Sequence, residues 1–228
     1  MKKVWWLLAA LALVGVACSF SSLLGGKSSA VDEMTPAVQV NEKILFQDDF
    51  SDTESGWDRV KGENGSLTDY VDGRYRILVN DTNTDIWANP GKHFTGDIVV
   101  EVDAVKNGGP DDNDFGVLCR YQDVDNYYGF YISSDGYVGI ARIKDGDAEM
   151  LTDDGSMFQD DAIAQGSGAL NHIKASCVGD ELSLTVNGKH VLTVHDSTFT
   201  DGDVGLIAGT FDEPGADILF DNFVVRRP

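Results

Sequence analysis

FGVLCRYQDVDNYYGFYI, residues 115–132, consists of two aromatic-rich runs around a short acidic turn. Side chains alternate along an extended strand. Phe115, Val117, Cys119 and Tyr121 therefore share one side, and Gly116, Leu118 and Arg120 share the other. In the second run, Tyr127, Gly129 and Tyr131 oppose Tyr128, Phe130 and Ile132. Neither side is simply polar. One must fill a core between two sheets, and the other becomes an apolar, aromatic outer face that carries Arg120. Such a face is a binding surface, or it is covered by a loop or tether. On the first reading Arg120 contacts a ligand among aromatic rings. On the second it pairs with nearby carboxylates.

From Ile44 onward the chain repeats this grammar. ILFQDDF, GRYRILV, DIVVEVDAV, HIKASCV, ELSLTV, DVGLIAG and DILFDNFVV are short runs rich in Val, Ile and Phe. Asp72-Gly73, Asp135-Gly136, Asp145-Gly146, Asn187-Gly188 and Asp201-Gly202 punctuate them as turns. In DIVVEVDAV, Ile98, Val100, Val102 and Ala104 alternate with Val99, Glu101, Asp103 and Val105, as in a half-buried antiparallel strand. No segment carries the caps and period of a long helix. The pattern predicts an all-β chain, with one antiparallel β-sandwich over residues 44–228.

The start reads MKKVWWLLAALALVGVACSF. Lys2 and Lys3 precede an apolar stretch that ends in small residues before Cys18, which is the form of an export signal. We read residues 1–18 as a signal with lipidation at Cys18, placing the protein on the outer face of a membrane. Gly15 stands where a lipoprotein signal favours Leu, so cleavage by ordinary signal peptidase and an uncleaved anchor over residues 4–24 are the alternatives. Residues 19–43, rich in Ser, Gly and Ala, read as a tether.

Seventeen Lys and Arg stand against 38 Asp and Glu, a formal charge of −21. That excludes a nucleic-acid partner, because phosphate neutralisation needs clustered cations. Gly26-Lys27-Ser28 is not a phosphate loop, since Ser21 occupies the required glycine position and no strand precedes it. Cys119 and Cys177 are either a disulfide, as export to an oxidising compartment permits, or two buried thiols.

Four stretches together carry a resemblance: LFQDDFSDTESGW, FGVLCRYQDVDNYYGFYI, NHIKASCVGDELSLTVNGKHVLTVHD and DVGLIAGTFDEPGADILFDNFVV. They resemble the concanavalin A-like jelly roll of the laminin-G type, closest to exported bacterial domains grouped with the 3-keto-disaccharide hydrolase family. The resemblance spans about residues 44–228. It implies a concave sheet carrying the ligand, with Arg120 and one of Tyr127 or Tyr128 on or beside it and Trp87 near its rim. It also implies that the strands of QDDFSD and FDNF are neighbours. Asp49, Asp52 and Asp221 would then meet around a structural calcium, or merely cap turns.

The fold alone selects no activity. Glu101-Val102-Asp103 begins the E-x-D-x-x-E strand of jelly-roll glucanases, but Lys106 stands where the third carboxylate belongs, so that chemistry fails. NDTNTDI, DVDNYYG and PDDNDFG each break the EF-hand pattern. His93, His172, His190 and His195 match no triad or zinc spacing. No catalytic residue is assigned. The expected function is carbohydrate binding at the cell surface through Arg120, Tyr127, Tyr128 and Trp87. The alternatives are hydrolysis of 3-keto or otherwise modified disaccharides and a protein-binding adhesion module.

Overall fold

The computed structural model describes residues 43–228. The signal, Cys18 and the tether up to residue 42 lie outside the described residues. Seventeen strands follow one another, with no helix among the described residues. They are β1 Ile44–Asp48, β2 Val60–Lys61, β3 Leu67–Val71, β4 Arg74–Val79, β5 Thr84–Ala88 and β6 Phe94–Thr95. Next come β7 Ile98–Gly108, β8 Asn113–Asp123, β9 Asn126–Ile132, β10 Tyr137–Lys144, β11 Asp147–Met150 and β12 Phe158–Gln159. The last are β13 Leu170–Val178, β14 Glu181–Val186, β15 Lys189–His195, β16 Asp201–Thr210 and β17 Ala216–Arg226.

The strands form two antiparallel sheets. The nine-stranded sheet runs β15-β14-β13-β7-β17-β4-β3-β2, with β1 on β17. The eight-stranded sheet runs β11-β10-β9-β8-β16-β5, with β12 on β10 and β6 on β16. The expected sandwich is the fold observed. Its core is built from the alternate residues read from the sequence: Ile98, Val100, Val102 and Ala104 from β7 face Phe115, Val117 and Cys119 from β8 and Tyr128, Phe130 and Ile132 from β9. Burying such side chains stabilises the fold by roughly 1.5–3 kcal/mol each.

Three of the expected turns have a left-handed backbone, whereas Asp201-Gly202, expected as a turn, opens β16 and pairs with β6. Asp72, Asp145 and Asn187 all have positive φ, each followed by a glycine that does too. Near the start, Asp48 closes a corner. Its carboxylate accepts the Phe50 amide at 2.8 Å and the Trp57 indole N–H at 3.0 Å. Phe50, Trp57, Tyr70, Tyr75 and Phe223 pack ring against ring beneath it.

One residue breaks the alternation. Arg120 has φ +53°, and it is the extra residue where β8 slips against β16, between the Leu118–Gly205 and Tyr121–Asp203 pairs. A β-bulge of this kind redirects the side chain that follows. Arg120 therefore does not stand on the outer face opposite Cys119. It turns inward and is 2% exposed. Its guanidinium donates to the carbonyls of Cys177 (3.1 Å), Gly179 (2.9 Å) and Phe199 (2.9 Å). The nearest carboxylate, Asp97, is 3.9 Å away. Beside it, Cys119 and Cys177 form a disulfide between β8 and β13, 58 residues apart in sequence. In the chain-entropy account, closing a loop of that length stabilises the fold by about 4 kcal/mol. Arginine and disulfide staple the two sheets at one point.

Candidate functional site

The outer face of the eight-stranded sheet carries a second apolar cluster, separate from the core. Leu118, Tyr127, Tyr131, Ala141, Ile143 and Ile207 form it, with Trp87, Tyr121, Met150 and Met157 partly buried against them. Here the alternation read from residues 127–132 holds: Tyr127 and Tyr131 point out as Tyr128 and Phe130 point in, whereas Tyr121, expected on the side of Cys119, lies past the bulge and joins the outer face. The rings of Trp87 and Tyr127 lie 6.2 Å apart, and those of Tyr121 and Tyr127 5.8 Å apart. The Trp87 indole N–H donates to the Tyr121 hydroxyl at 3.4 Å. A groove of about 730 Å³ opens over this surface. Tyr127, Tyr131, Met150 and Met157 lie along it, with Tyr137 and Phe211 exposed at its rim.

Glycines hollow the groove. A Cβ on Gly129 would strike the Tyr131 ring, and one on Gly139 would meet the Met150 sulfur at 2.7 Å. Gly209 is the most informative. Its φ is not positive, so its backbone does not require glycine. A Cβ there would collide with Oδ1 of both Asp85 and Asp114. These aspartates flank Gly209 in register, Asp85 from β5 and Asp114 from β8, across the central strand β16. The missing side chain makes room for two carboxyl groups to approach each other on the groove floor.

That proximity has an electrostatic consequence. Burial, then the neighbouring Asp85, pushes the Asp114 carboxyl up to about 8. Burial also raises Asp85. Like charges in a shared dry site disfavour double ionisation, so the pair holds a proton at neutral pH. Asp114 Oδ1 is buried with no hydrogen-bond partner. Burial raises the Tyr127 phenol to about 12, and it stays neutral. Among the described residues the groove lining includes Asp85, Asp112, Asp114 and Asp135, and no Lys, Arg or His.

Of the residues expected to bind ligand, the structure brings Trp87 and Tyr127 together on this face. It places two others elsewhere. Arg120 is sequestered by the bulge, and Tyr128 is fully buried in the core. The Tyr128 hydroxyl donates to the Asp196 carboxylate and accepts the Phe199 amide at 3.1 Å. Their polar groups are spent on the fold. Tyr131, Asp85 and Asp114 take their places at the groove. Tyr131 follows Tyr127 at strand period and was legible. The Asp85–Asp114 pairing depends on which strands flank β16, which no local pattern states.

The expected calcium ligands do not assemble. Asp49 accepts the Ser51 amide (3.1 Å), Asp52 the Glu54 amide (3.0 Å) and Asp221 the Asn222 amide (2.7 Å). Asp49 and Asp52 line a small hollow with Asn222, whereas Asp221 does not. Among the described residues no group of three or more His, Cys, Asp or Glu is arranged to hold a metal ion. These aspartates act as turn caps. Glu101 and Asp103 lie on the other sheet and are engaged by neighbours. Glu101 meets Lys174 (3.4 Å) and Arg226; Asp103 meets His172 (2.7 Å) and Asn222 (2.9 Å).

No family model matches the chain, and no curated protein matches it. Solved structures do. The carbohydrate binding module CBM66 from Bacillus subtilis is 17% identical, with a TM-score of 0.56 over 75% of this chain and 95% of that one. A protein of unknown function with a galectin-like fold from Bacillus subtilis is 12% identical, with a TM-score of 0.58 over 82% and 98%. The GH43 protein BlXynB from Bacillus licheniformis is 15% identical, with a TM-score of 0.58 over 80% of this chain but only 39% of that one. The chain thus shares the β-sandwich fold of these proteins.

Proposed function

We propose that this domain binds carbohydrate through the outer face of the eight-stranded sheet, and that it works outside the cell, held at a membrane by lipid on Cys18. The groove over Tyr127 carries the proposal. Its rings suit the apolar faces of pyranoses, and its carboxyl groups accept sugar hydroxyls in a dry setting. Concave, mostly apolar sites with a few placed polar groups are the usual form of small-ligand sites. The fold likeness to a carbohydrate binding module is in keeping with this reading. The anchor rests on residues 1–18 alone.

A glycan array probed with the purified protein and with Tyr127→Ala tests it. We expect at least one glycan to bind, with the variant weaker by about tenfold or more, the loss expected for removing one stacked ring. Circular dichroism establishes that the variant is folded. Binding that survives Tyr127→Ala unchanged moves the site elsewhere. Folded protein that binds no glycan favours a protein-binding module.

Hydrolysis of a glycoside, including a 3-keto or otherwise modified disaccharide, is the second reading. The Asp85–Asp114 pair favours it, because one neutral and one ionised carboxyl is what acid–base cleavage of a glycoside requires. Release of reducing sugar from a bound glycan, lost in Asp85→Asn, would establish it.

A further inference from the structure

The groove floor contains an arrangement that a neutral sugar leaves unexplained. Two aspartates on non-adjacent strands converge over a glycine that the backbone does not need. Asp114 is 8% exposed, its Oδ1 has no donor, and it faces the groove. Two further carboxylates, Asp112 and Asp135, stand on the lining, and among the described residues no cationic side chain does. The fold keeps this acidic cluster at an energetic cost, since unpaired buried carboxyls destabilise a protein.

We propose that the Asp85–Asp114 pair receives a protonated amine, and that the groove's ligand is a glycan with free amino groups, of the hexosamine class. This rests on the carbohydrate reading above and narrows it. An ammonium group brings three donors and one positive charge. It supplies the hydrogen bond that Asp114 Oδ1 lacks and neutralises the charge the two carboxyls would otherwise share. Tyr127 and Tyr131 line the groove with the pair, and aromatic rings attract an organic cation. A bare metal ion fits less well. Only two carboxyl groups converge, much of the rest of the lining is aromatic, methionine or aliphatic, and hard cations take six or more oxygens. The step is binding, with no bond between heavy atoms made or broken: the neutral carboxyl of the pair gives its proton to solvent as the ammonium arrives, leaving an ionised carboxylate against the cation.

The test is calorimetric titration of the purified protein with three probes: a β-1,4-linked glucosamine tetrasaccharide, its fully N-acetylated counterpart and cellotetraose. The free-amine sugar is expected to bind about tenfold or more tighter than the other two, the margin of one charge-assisted hydrogen bond in a desolvated site. Asp114→Asn is expected to reduce that margin, read as the ratio of the free-amine to the N-acetylated sugar within the same variant, to about twofold. Asp85→Asn repeats the measurement from the other side of Gly209. Equal or tighter binding of the acetylated or neutral sugar overturns the inference, as does a preference that persists in both variants. If a neutral glycan binds in a Tyr127-dependent way with no preference for amines, the amine inference falls and the carbohydrate reading stands. If folded protein binds no probe, the inference falls, and a glycan array without hits takes the wider reading with it.

Discussion

Arg120→Ala is expected to lower the unfolding free energy by about 3–5 kcal/mol, the usual cost of removing one member of a buried charged network. Three carbonyls, of Cys177, Gly179 and Phe199, would lose a charged donor, and that of Cys177 is buried. A domain of this size holds a total stability of about 5–15 kcal/mol, so the loss is a large fraction of the whole. Urea denaturation with the disulfide intact measures it. Arg120→Lys should fall between the two, since an ammonium keeps the charge but not the planar fork that reaches three acceptors. The variants should keep glycan binding wherever they remain folded. An Arg120→Ala protein as stable as the parent yet unable to bind glycan would return this residue to the ligand site.

Asp114→Asn is expected to change the pH dependence of stability, and in the opposite direction from the loss of an ordinary surface carboxylate. The Asp114 carboxyl titrates near 8 in the fold and near its ordinary value of 3.8 in the unfolded chain. Between these values the folded state holds a proton that the unfolded state has released. Stability is therefore complete below about pH 4 and falls as pH rises toward 8, by about 1.4 kcal/mol per unit at the steepest. Asparagine removes the penalty. Parent and variant should be nearly equally stable at pH 4, and the variant more stable by several kcal/mol at pH 8.

Other groups near the pair modify this only in part. Asp85 is raised as well and acts in the same direction, while the Tyr127 and Tyr131 phenols stay neutral through the window. Asp203, outside the groove and raised by burial to about 6, leaves a smaller residual slope between about pH 4 and 6. Thermal melts across the range measure the effect. Parallel curves for parent and variant would contradict the burial and coupling of the two aspartates.

The sandwich was legible because its information is local. Alternation in residues 98–105 and 115–132 states which side chains face inward, and Asn187-Gly188 or Asp145-Gly146 states where the chain reverses. The outer aromatic face followed from the same period, whereas Trp87 near its rim, and one of Tyr127 or Tyr128 on it, were implied by the resemblance. Arg120 was misplaced because alternation assumes an unbroken pleat. Nothing in Cys119-Arg120-Tyr121 announces a left-handed arginine, and one extra residue in β8 reverses the side it occupies. The Tyr127-Tyr128 doublet offers a ring to each face, so the choice between them needed the register with β10, where Tyr128 pairs with the core-side Arg142. Asp85 and Asp114 stand in stretches that fail as calcium loops, and their partnership appears only once β5, β16 and β8 lie side by side. Asp49 and Asp52 share a hollow that Asp221 does not line, and each of the three carboxylates accepts a backbone amide close to it in sequence.

The central claim is that ligand enters the groove over Tyr127. Of the four methionines in the chain, Met150 and Met157 line that groove. The most direct test is methyl-labelled methionine NMR of the purified protein, titrated with whichever glycan binds most tightly. The account predicts that the Met150 and Met157 methyl signals shift together and saturate with the binding isotherm. A saturating isotherm that leaves both signals unmoved would contradict it.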